Sequence, residues 1–406
     1  MSQTRSILFV VLIATAMSNL DQSIVGVALP TLRQVFRADI GIIQWVVMAY
    51  QLGLLAMLII AGRAADQVGG RRVFLGGLVL FTFASGLCGV SLSAEQLIAS
   101  RALQGIGAAM LIASGQALLI EAFPDHRRGR AMGYLHMAVA AGLTAGPAVG
   151  GLLLAVTSWR LIFLVNLPIG LLALWLAWQH LPRVSGRAVS GPLLELSMFR
   201  SWPLVSGLLV AFLAFVALTS NMFLMPFVLQ PVMGLSPAQA GLVMITVPLM
   251  ILVVAPLAGQ ITDRVGPRWP ASVGIALVTV AILLMAQLRP GSAVLVAVLV
   301  LIVYGVGAGV FQAPNNTAVM NAAPATARGM VSGVLALSRS LGQIAGVTLA
   351  TTVWEGRQAA YAGTATPLAF ALRDAFLVLG GVALVAVVFS LLRGTSGSSM
   401  QCNESS

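Results

Sequence analysis

The sequence contains no lysine: all 22 basic residues among its 406 are arginines. A P-loop nucleotide site needs a lysine against the phosphates, and a retinal or pyridoxal Schiff base needs a lysine amine. The absence of lysine therefore excludes a complete P-loop site, a retinal pump and a pyridoxal-dependent enzyme.

Cysteine and histidine are scarce as well, with two and three residues. Cys88 lies in an apolar run and Cys402 in a polar stretch, a pattern that does not indicate a disulfide framework. No spacing of histidines, cysteines and acids fits a metal site, and no nucleophile–base set is present. We therefore expect no metal, no cofactor and no enzymatic activity.

Charged residues make up only 8% of the chain, whereas 59% is hydrophobic and the mean hydropathy is +0.99. A soluble core cannot hold that much apolar sequence. The Pro and Gly interruptions in the apolar runs fit membrane helices, and the alternating pattern of a membrane barrel is absent. These features predict an all-α polytopic protein of the lipid bilayer.

The apolar runs predict twelve transmembrane helices, at residues 7–30, 42–62, 72–92, 96–120, 131–155, 160–181, 204–228, 239–260, 270–288, 293–320, 331–354 and 373–392. With both termini in the cytoplasm, fourteen arginines fall in cytoplasmic segments and six on the other side, which decides the orientation. Because arginines in such short loops are orientation signals, the net charge of +11 does not indicate nucleic-acid binding. The first apolar run is too long for a signal peptide and is predicted to be an uncleaved span.

The most polar internal stretch predicts a cytoplasmic linker at 183–201. It separates an N-terminal six-helix bundle, residues 1–182, from a C-terminal one, residues 202–393. The Ser-rich end of the chain, residues 394–406, is predicted to be a disordered cytoplasmic tail.

The two halves repeat each other in sequence. Four loop residues recur at an offset of 197: Gly62, Asp66, Gly69 and Arg71 match Gly259, Asp263, Gly266 and Arg268. A second series, which begins with Gly105 and Gly305, has an offset of 200. Because each half has six spans, the repeats run parallel, and transporters with this arrangement bind substrate near the midplane between the halves.

One acid, Asp21, lies midway along the first apolar run. A carboxylate there costs roughly 2.5–3.5 kcal/mol on insertion scales, so it is a functional-site hypothesis by default. At 1.5 Å per residue, Asp21 lies about 13 Å and Arg101 about 7–9 Å from the outer ends of their spans. The depths agree within about one helical turn, so we expect the two side chains to meet. At an offset of 200, Asp21 aligns with Asn221, so only one half has an acid.

Several motifs resemble those of the major facilitator superfamily, and within it the drug:proton antiporters usually built with fourteen spans. The motifs are Leu20-Asp21-x-x-Ile24-Val25-x-Val27-Ala28-Leu29-Pro30, the loop from Gly62 to Arg72, Arg101-x-x-Gln104-Gly105, Gly142-x-x-x-Gly146-Pro147-x-x-Gly150-Gly151, and Ser158-Trp159-Arg160 with Phe163, Asn166, Pro168 and Gly170. Two departures are evident. Gln67 and Gly70 stand where the family loop usually has basic residues. Gly191 to Leu196 resembles the segment that comes after two extra central spans in those antiporters, and this chain lacks these two spans.

The resemblance implies four sets of site residues. Proton coupling is assigned to Asp21 and Arg101, since a carboxylate whose hydration and distance from a guanidinium change between two states can bind and release a proton. A cytoplasmic latch is assigned to Gly62, Asp66, Gly69, Arg71, Arg72, Glu121, Asp263 and Arg268, with Arg71 the predicted partner of Asp66. An antiporter motif that seals the non-transport path is assigned to Gly142, Gly146, Pro147, Gly150 and Gly151. The substrate cavity is assigned to Asn19, Gln22, Gln104, Asn221, Gln312, Asn315, Arg339 and Gln343.

Each assignment has an alternative. Asp21 and Arg101 could form a fixed interhelical ion pair, the glycines could serve only helix packing, and Arg71 and Arg72 could be only orientation charges. Arg339 could bond Gln312, Asn315 or Asn316, or only backbone carbonyls.

The sequence therefore predicts a proton-driven exporter of small organic molecules in a bacterial cytoplasmic membrane, functional as a monomer. The few fixed charges of the predicted cavity favour apolar or cationic amphiphiles as substrates. A proton-coupled symporter that imports a metabolite is the alternative, and a membrane receptor or scaffold is a third possibility.

Overall fold

The structure, a computed structural model, describes residues 3–156, 158–182, 201–323 and 328–392. The side chains of residues 3, 125–130, 136 and 328–330 are outside this description. The predicted linker, apart from Ser201, and the predicted tail lie outside the described residues.

Throughout these ranges the chain is helical, and they contain no strand. The elements are α1 (Gln3–Phe36), α2 (Ile40–Val68), α3 (Gly70–Val90), α4 (Ala94–Ala122), α5 (Asp125–Val156), α6 (Leu161–Leu164), α7 (Asn166–His180), α8 (Trp202–Phe223), α9 (Met225–Phe227), a π-helical turn (Val228–Val232), α10 (Pro237–Met244), α11 (Thr246–Val265), α12 (Arg268–Met285), α13 (Val294–Ala322), α14 (Arg328–Ala360) and α15 (Pro367–Leu392).

In the part of the chain that the structure describes, twelve helical segments are long and apolar enough to cross a membrane, and each overlaps one predicted span. Three of these spans are interrupted: α6 and α7 share one, α8, α9 and the π turn share another, and α10 and α11 share a third. Pro226 and Pro231 lie at the second interruption, where their missing N–H groups break the hydrogen-bond ladder of the helix. The predicted all-α polytopic fold class is confirmed.

The contacts divide the chain into two compact units. Unit 1 comprises Met1–Gly191 and Met225–Pro248, and unit 2 comprises Pro192–Leu224 and Leu249–Ser406. In unit 1, α1 packs on α5, α2 and α3 pack on α4, and α10 packs on α5. In unit 2, α12 packs on α13, and α8 packs on α14 and α15. The bundle boundaries at 182 and 202 stay a sequence-based prediction.

The core of unit 1 is formed by large apolar side chains at the meeting of α1, α3 and α4. Val10, Phe74, Phe81 and Leu119 are among its fully buried members. Because lipid tails are as apolar as these side chains, close packing between helices, rather than transfer out of water, stabilises such a core within a bilayer.

Glycines bring the third and fourth helices of each half into close contact at equivalent positions. A Cβ on Gly77 would lie 3.1 Å from the carbonyl oxygen of Gly107, and a Cβ on Gly274 would lie 2.8 Å from that of Gly307. Gly274 follows Gly77 by 197 residues and Gly307 follows Gly107 by 200. The two sequence offsets therefore place structurally equivalent residues at the two helix crossings.

The offset of 200 does not extend to the first helix of each half. A Cβ on Gly146 would lie 2.8 Å from the Cβ of Ser23, and a Cβ on Gly346 would lie 2.9 Å from that of Thr219. Ser23 and Thr219 are 196 residues apart, so α1 matches α8 with a register one helical turn different from the predicted one. The predicted alignment of Asp21 with Asn221 is therefore wrong. The residue equivalent to Asp21 is Ala217, which is also not an acid.

Candidate functional site

Asp21 lies in the middle of α1 with its side chain completely buried. Its Oδ2 atom accepts a hydrogen bond from Arg101 Nη1 at 2.5 Å. Its Oδ1 atom accepts two more, from Gln104 Nε2 at 2.8 Å and from Asn166 Nδ2 at 2.7 Å. Among the carboxylates whose side chains the structure describes, Asp21 alone is fully buried. The predicted partner Arg101 is thus in contact with it.

The Arg101 guanidinium is held from three helices. Besides Asp21 on α1, its Nε donates to the carbonyl oxygen of Val46 on α2 at 3.1 Å, and its Nη1 donates to Gln104 Oε1 on α4 at 2.5 Å. Its Cζ atom lies 4.3 Å from the ring centroid of Tyr50, within the range of a cation–π contact. The guanidinium is therefore fixed in place and paired with one opposite charge.

Two glycines allow this approach of α2 to α4. A Cβ on Gly105 would collide with the carbonyl oxygen of Tyr50, and a Cβ on Gly53 would collide with that of Ala102. Gly105 is the last residue of the predicted Arg101-x-x-Gln104-Gly105 motif. Its lack of a side chain is what lets Tyr50 reach the guanidinium.

Gln104 belongs to the same cluster, although the sequence assigned it to the substrate cavity. Its side chain is completely buried, and its Nε2 donates to Ser85 Oγ at 2.6 Å as well as to Asp21. Because Gln104 lies three residues after Arg101, the two side chains share one face of α4. Both ends of the amide are bonded inside unit 1 in this conformation, and the assignment to the substrate cavity stays a prediction.

Asn166 and Ser85 are members that the sequence did not single out as site residues. Asn166 begins α7, just after the break that ends α6, and its Nδ2 also lies 3.4 Å from Ser85 Oγ. We call Asp21, Ser85, Arg101, Gln104 and Asn166 the polar cluster. Asn166 is recognisable in the sequence only as part of the Ser158-Trp159-Arg160 motif, and Ser85 has no distinguishing sequence signal. The polar cluster joins α1, α3, α4 and α7.

The hydrogen bonds of the polar cluster depend on whether Asp21 carries a proton. An ionised carboxylate only accepts hydrogen bonds, and here it faces three N–H donors. A protonated carboxyl group carries an O–H donor and is a weaker acceptor than a carboxylate, so the three present bonds are weakened when Asp21 gains a proton. Protonation would also remove the charge that neutralises Arg101. A proton on Asp21 therefore changes contacts on several helices at once.

The glycines of the α5 motif lie against the helix that carries Asp21. A Cβ on Gly142 would lie 2.5 Å from the carbonyl oxygen of Ala16, and a Cβ on Gly150 would lie 2.7 Å from Ile24 Cγ1. Ser23 Oγ also donates to the carbonyl oxygen of Gly142 at 3.2 Å. Close helix contact is thus one role of these glycines, and their part in sealing a path stays a prediction.

The other residues of that motif face α10. A Cβ on Gly151 would lie 2.6 Å from the carbonyl oxygen of Pro237, and a Cβ on Gly241 would collide with that of Pro147. Gly142, Gly146 and Gly150 therefore bind α5 to α1, and Pro147 and Gly151 bind it to α10.

The predicted latch between Arg71 and Asp66 does not form in this conformation. Arg71 Nη2 donates to the carbonyl oxygen of Trp178, at the end of α7, at 2.8 Å, and Arg268 donates likewise to Leu391 of α15. Since free carbonyls at a helix end attract cations, both arginines are held away from their loop acids. Asp66 and Asp263 are exposed, and neither has an ion pair among the described residues.

The remaining loop residues have separate positions. Arg72 Nη1 lies 3.5 Å from the carbonyl oxygen of Val68, Glu121 is exposed, and Gly62 has open space around it. Gly69 has φ 96°, in the left-handed region that favours glycine, and it allows the tight turn between α2 and α3.

The predicted cavity residues lie in both units. In unit 1, Asn19 is half-buried and its amide donates to the carbonyl oxygen of Thr15, and Gln22 is half-buried. In unit 2, Asn221 and Asn315 are buried, and Gln312, Arg339 and Gln343 are half-buried. Arg339 donates to Asn316, one of the candidate partners.

Comparison with known proteins assigns the family. A model of the Major Facilitator Superfamily matches residues 11–347. A riboflavin transporter of Clostridioides difficile is 29% identical over 84% of this chain and 86% of its own length. A tetracenomycin C resistance and export protein of Streptomyces glaucescens is 28% identical over 85% of this chain and 74% of its own length. The fold is similar to that of a bacterial homologue of the human lysosomal transporter Spinster, with a TM-score of 0.81, 16% identity and 97% of both chains covered. The chain thus belongs to the Major Facilitator Superfamily.

Proposed function

We propose that this transporter couples the export of small organic molecules to the entry of protons. As a member of the superfamily, the protein is a multi-pass membrane transporter of small molecules and not an enzyme. The observation that carries proton coupling is the complete burial of the Asp21 carboxylate against Arg101. The coupling needs no cofactor, because the proton gradient supplies the free energy.

The polar cluster provides a mechanism for coupling. In this conformation, the carboxylate has three N–H donors, an arrangement that suits its ionised form. A proton that reaches Asp21 weakens these bonds and leaves Arg101 without a counter-charge. The contacts that fix α1 to α4 and α7 are then weakened, so the proton shifts the balance between two conformations. Release of the proton on the other side of the membrane restores them.

Two observations support export as the direction. The tetracenomycin C relative is described as a resistance and export protein. The glycines of α5, which resemble the antiporter motif, pack directly on the helix of Asp21. The second candidate is a proton-coupled symporter that imports a metabolite, and a relative described as a riboflavin transporter shows a metabolite as the substrate of a similar protein.

Transport direction separates these candidates. Everted membrane vesicles acidified inside should accumulate a compound that the protein exports by proton exchange. An importing symporter should instead take up its substrate into right-side-out vesicles acidified outside. We further propose that the protein lies in the bacterial cytoplasmic membrane with both termini in the cytoplasm and functions as a monomer.

The first test neutralises the proposed proton site. A growth-inhibition panel of toxic compounds in an efflux-deficient host identifies a transported compound, and proteoliposomes then measure its accumulation under a pH gradient. Asp21→Asn should abolish accumulation driven by the gradient, because an amide cannot exchange a proton. Substrate-for-substrate exchange without a gradient should persist.

The matched control is Asp39→Asn. Asp39 is exposed before α2, and its side chain makes no capping hydrogen bond. This variant should transport like the wild type. Gradient-driven accumulation by a correctly folded Asp21→Asn protein at the wild-type rate would refute the coupling role.

A further inference from the structure

Unit 2 contains a guanidinium inside its helices that no described carboxylate neutralises. Arg339 lies on α14, is half-buried, and donates through Nη2 to Asn316 on α13. Its Cζ atom lies 5.5 Å from the ring centroid of Phe215 on α8. Its buried Nε has no hydrogen-bond partner. The side chain therefore faces a neutral amide and an aromatic ring.

The position is well inside the span. Arg339 lies about 16 Å along the axis from the first residue of α14, and Phe215 lies about 20 Å from the first residue of α8. The hydrocarbon core of a bilayer is about 30 Å thick, so neither residue is at a helix end. A guanidinium at that depth is costly unless a counter-charge or water accompanies it.

The described acids of unit 2 do not supply that counter-charge. Asp263 and Glu355 are exposed, and Asp374 binds Arg357 at 3.1 Å and accepts a hydrogen bond from Tyr361. Among the described residues, Arg339 forms no ion pair. The other arginine inside a span, Arg101 of unit 1, differs because Asp21 neutralises it.

The fold itself does not require a cation at this position. Gly142 and Gly146 of α5 match Gly342 and Gly346 of α14, because each pair packs against the first helix of its own half. At this offset of 200, the residue equivalent to Arg339 is Val139. Because the first half has a valine at the equivalent position, the packing of the helices does not explain why the second half has an arginine there.

We infer that Arg339 binds an anionic group of the transported molecule. A carboxylate, sulfonate or phosphate could accept a charge-assisted bond from the guanidinium and neutralise it. Asn316 holds one side of the guanidinium fork, and the Phe215 ring offers an apolar surface to the rest of the ligand. Gln312 lies one helical turn before Asn316 on α13 and extends the polar face. The substrate class is therefore organic anions with an apolar or aromatic body, which replaces the apolar or cationic class expected from composition.

The inference rests on the proposed function only in that the ligand is the transported molecule. Binding can be measured without a proton gradient. The probes are 2-naphthoate, which is ionised at pH 7, and its neutral amide 2-naphthamide, each added to the full chain in nanodiscs. Wild type should bind the naphthoate at least about tenfold more tightly than the amide, a difference of about 1.4 kcal/mol, because only the naphthoate can form a charge-assisted bond with the guanidinium.

Two variants and one control complete the test. Arg339→Gln should lower naphthoate affinity to that of naphthamide, and Asn316→Asp should do the same by neutralising Arg339 internally without removing it. Arg357→Gln is the matched control on the same helix, because Arg357 is largely exposed and paired with Asp374. It should leave both affinities unchanged.

The inference is overturned if wild type binds naphthoate no more tightly than naphthamide. It is also overturned if the folded variants still prefer naphthoate to naphthamide as strongly as the wild type does. If Arg339→Gln does not fold, the affinities of Asn316→Asp test the inference alone. Proton coupling is judged separately, by Asp21→Asn under a pH gradient. If the wild type shows no preference for naphthoate but Asp21→Asn abolishes gradient-driven transport, the anion site is refuted and proton coupling stands. If the preference is present but Asp21→Asn transports normally, proton coupling is refuted and the anion site stands.

Discussion

At the scale of single residues, Asn166 offers a sensitive test of the polar cluster. Its amide donates to Asp21 Oδ1 at 2.7 Å, and this bond stabilises the ionised carboxylate. In Asn166→Ala this donor is lost, so the contact of α1 with α7 is weakened. Gradient-driven transport in proteoliposomes should fall by at least roughly tenfold, because a hydrogen bond to a charged group contributes about 1.5–3 kcal/mol.

The control for this change is Thr82→Val. Thr82 is buried on α3, three residues before Ser85, and its hydroxyl has no hydrogen-bond partner among the described residues. Its replacement by an isosteric valine should leave gradient-driven transport unchanged. Equal transport rates for Asn166→Ala and Thr82→Val would show that Asn166 does not act on Asp21.

Residue-level sequence reasoning found the charges of the site but not its amides. Asp21 and Arg101 were predictable, because two charges inside apolar spans at similar depths must be paired or functional. Gln104 and Asn166 were not assigned to the site, since the sequence does not show whether an amide in a membrane helix faces a cavity or a buried partner. That choice depends on helix rotation, which here results from contacts between helices distant in sequence.

At the scale of the helices, the contact of α1 with α5 should fail if one glycine gains a methyl group. A Cβ on Gly146 would collide with Ser23 Oγ and lie 3.0 Å from the backbone nitrogen of Ile24. Gly146→Ala should therefore separate the helices, lower stability by about 1–3 kcal/mol and reduce transport. Thermal unfolding in nanodiscs measures the first effect, and proteoliposome transport measures the second.

Gly133→Ala is the matched control on α5. A Cβ at this position meets nothing within 4 Å. Because alanine has the higher helix propensity, this variant should be as stable as the wild type or slightly more stable. Equal unfolding temperatures and transport rates for the two alanine variants would contradict the tight α1–α5 contact.

At this scale, the sequence predicted helices and crossings better than loop contacts. The offsets of 197 and 200, found in loop residues and glycines, also relate Gly77 to Gly274 and Gly107 to Gly307, which lie at equivalent helix crossings. The register of α8 was wrong by one turn, since Asn221 was aligned without a contact to fix it. The predicted bond of Arg71 to Asp66 is absent in this conformation because a helix end, with its free carbonyls, competes for the same arginine.

At the scale of the whole molecule, the distribution of arginines predicts how the chain is oriented. With fourteen arginines in one set of connecting segments and six in the other, both termini should lie in the cytoplasm. Cys402 belongs to the predicted tail, outside the described residues, and Cys88 is completely buried. A membrane-impermeant maleimide added to intact cells should therefore leave the wild-type protein unlabelled and should label Cys402 after permeabilisation.

The opposite face is tested by one introduced thiol. Ala293 precedes α13, is exposed, and is the first residue of the predicted span 293–320, at its outward end. The double variant Ala293→Cys, Cys402→Ser should be labelled in intact cells, and Cys402→Ser alone gives the background from Cys88. If the maleimide labelled Cys402 in intact cells but did not label the thiol of Ala293→Cys, the orientation would be the opposite of the predicted one. Equal labelling of both thiols would place residues 293 and 402 on one side of the membrane, which the three spans between them do not allow.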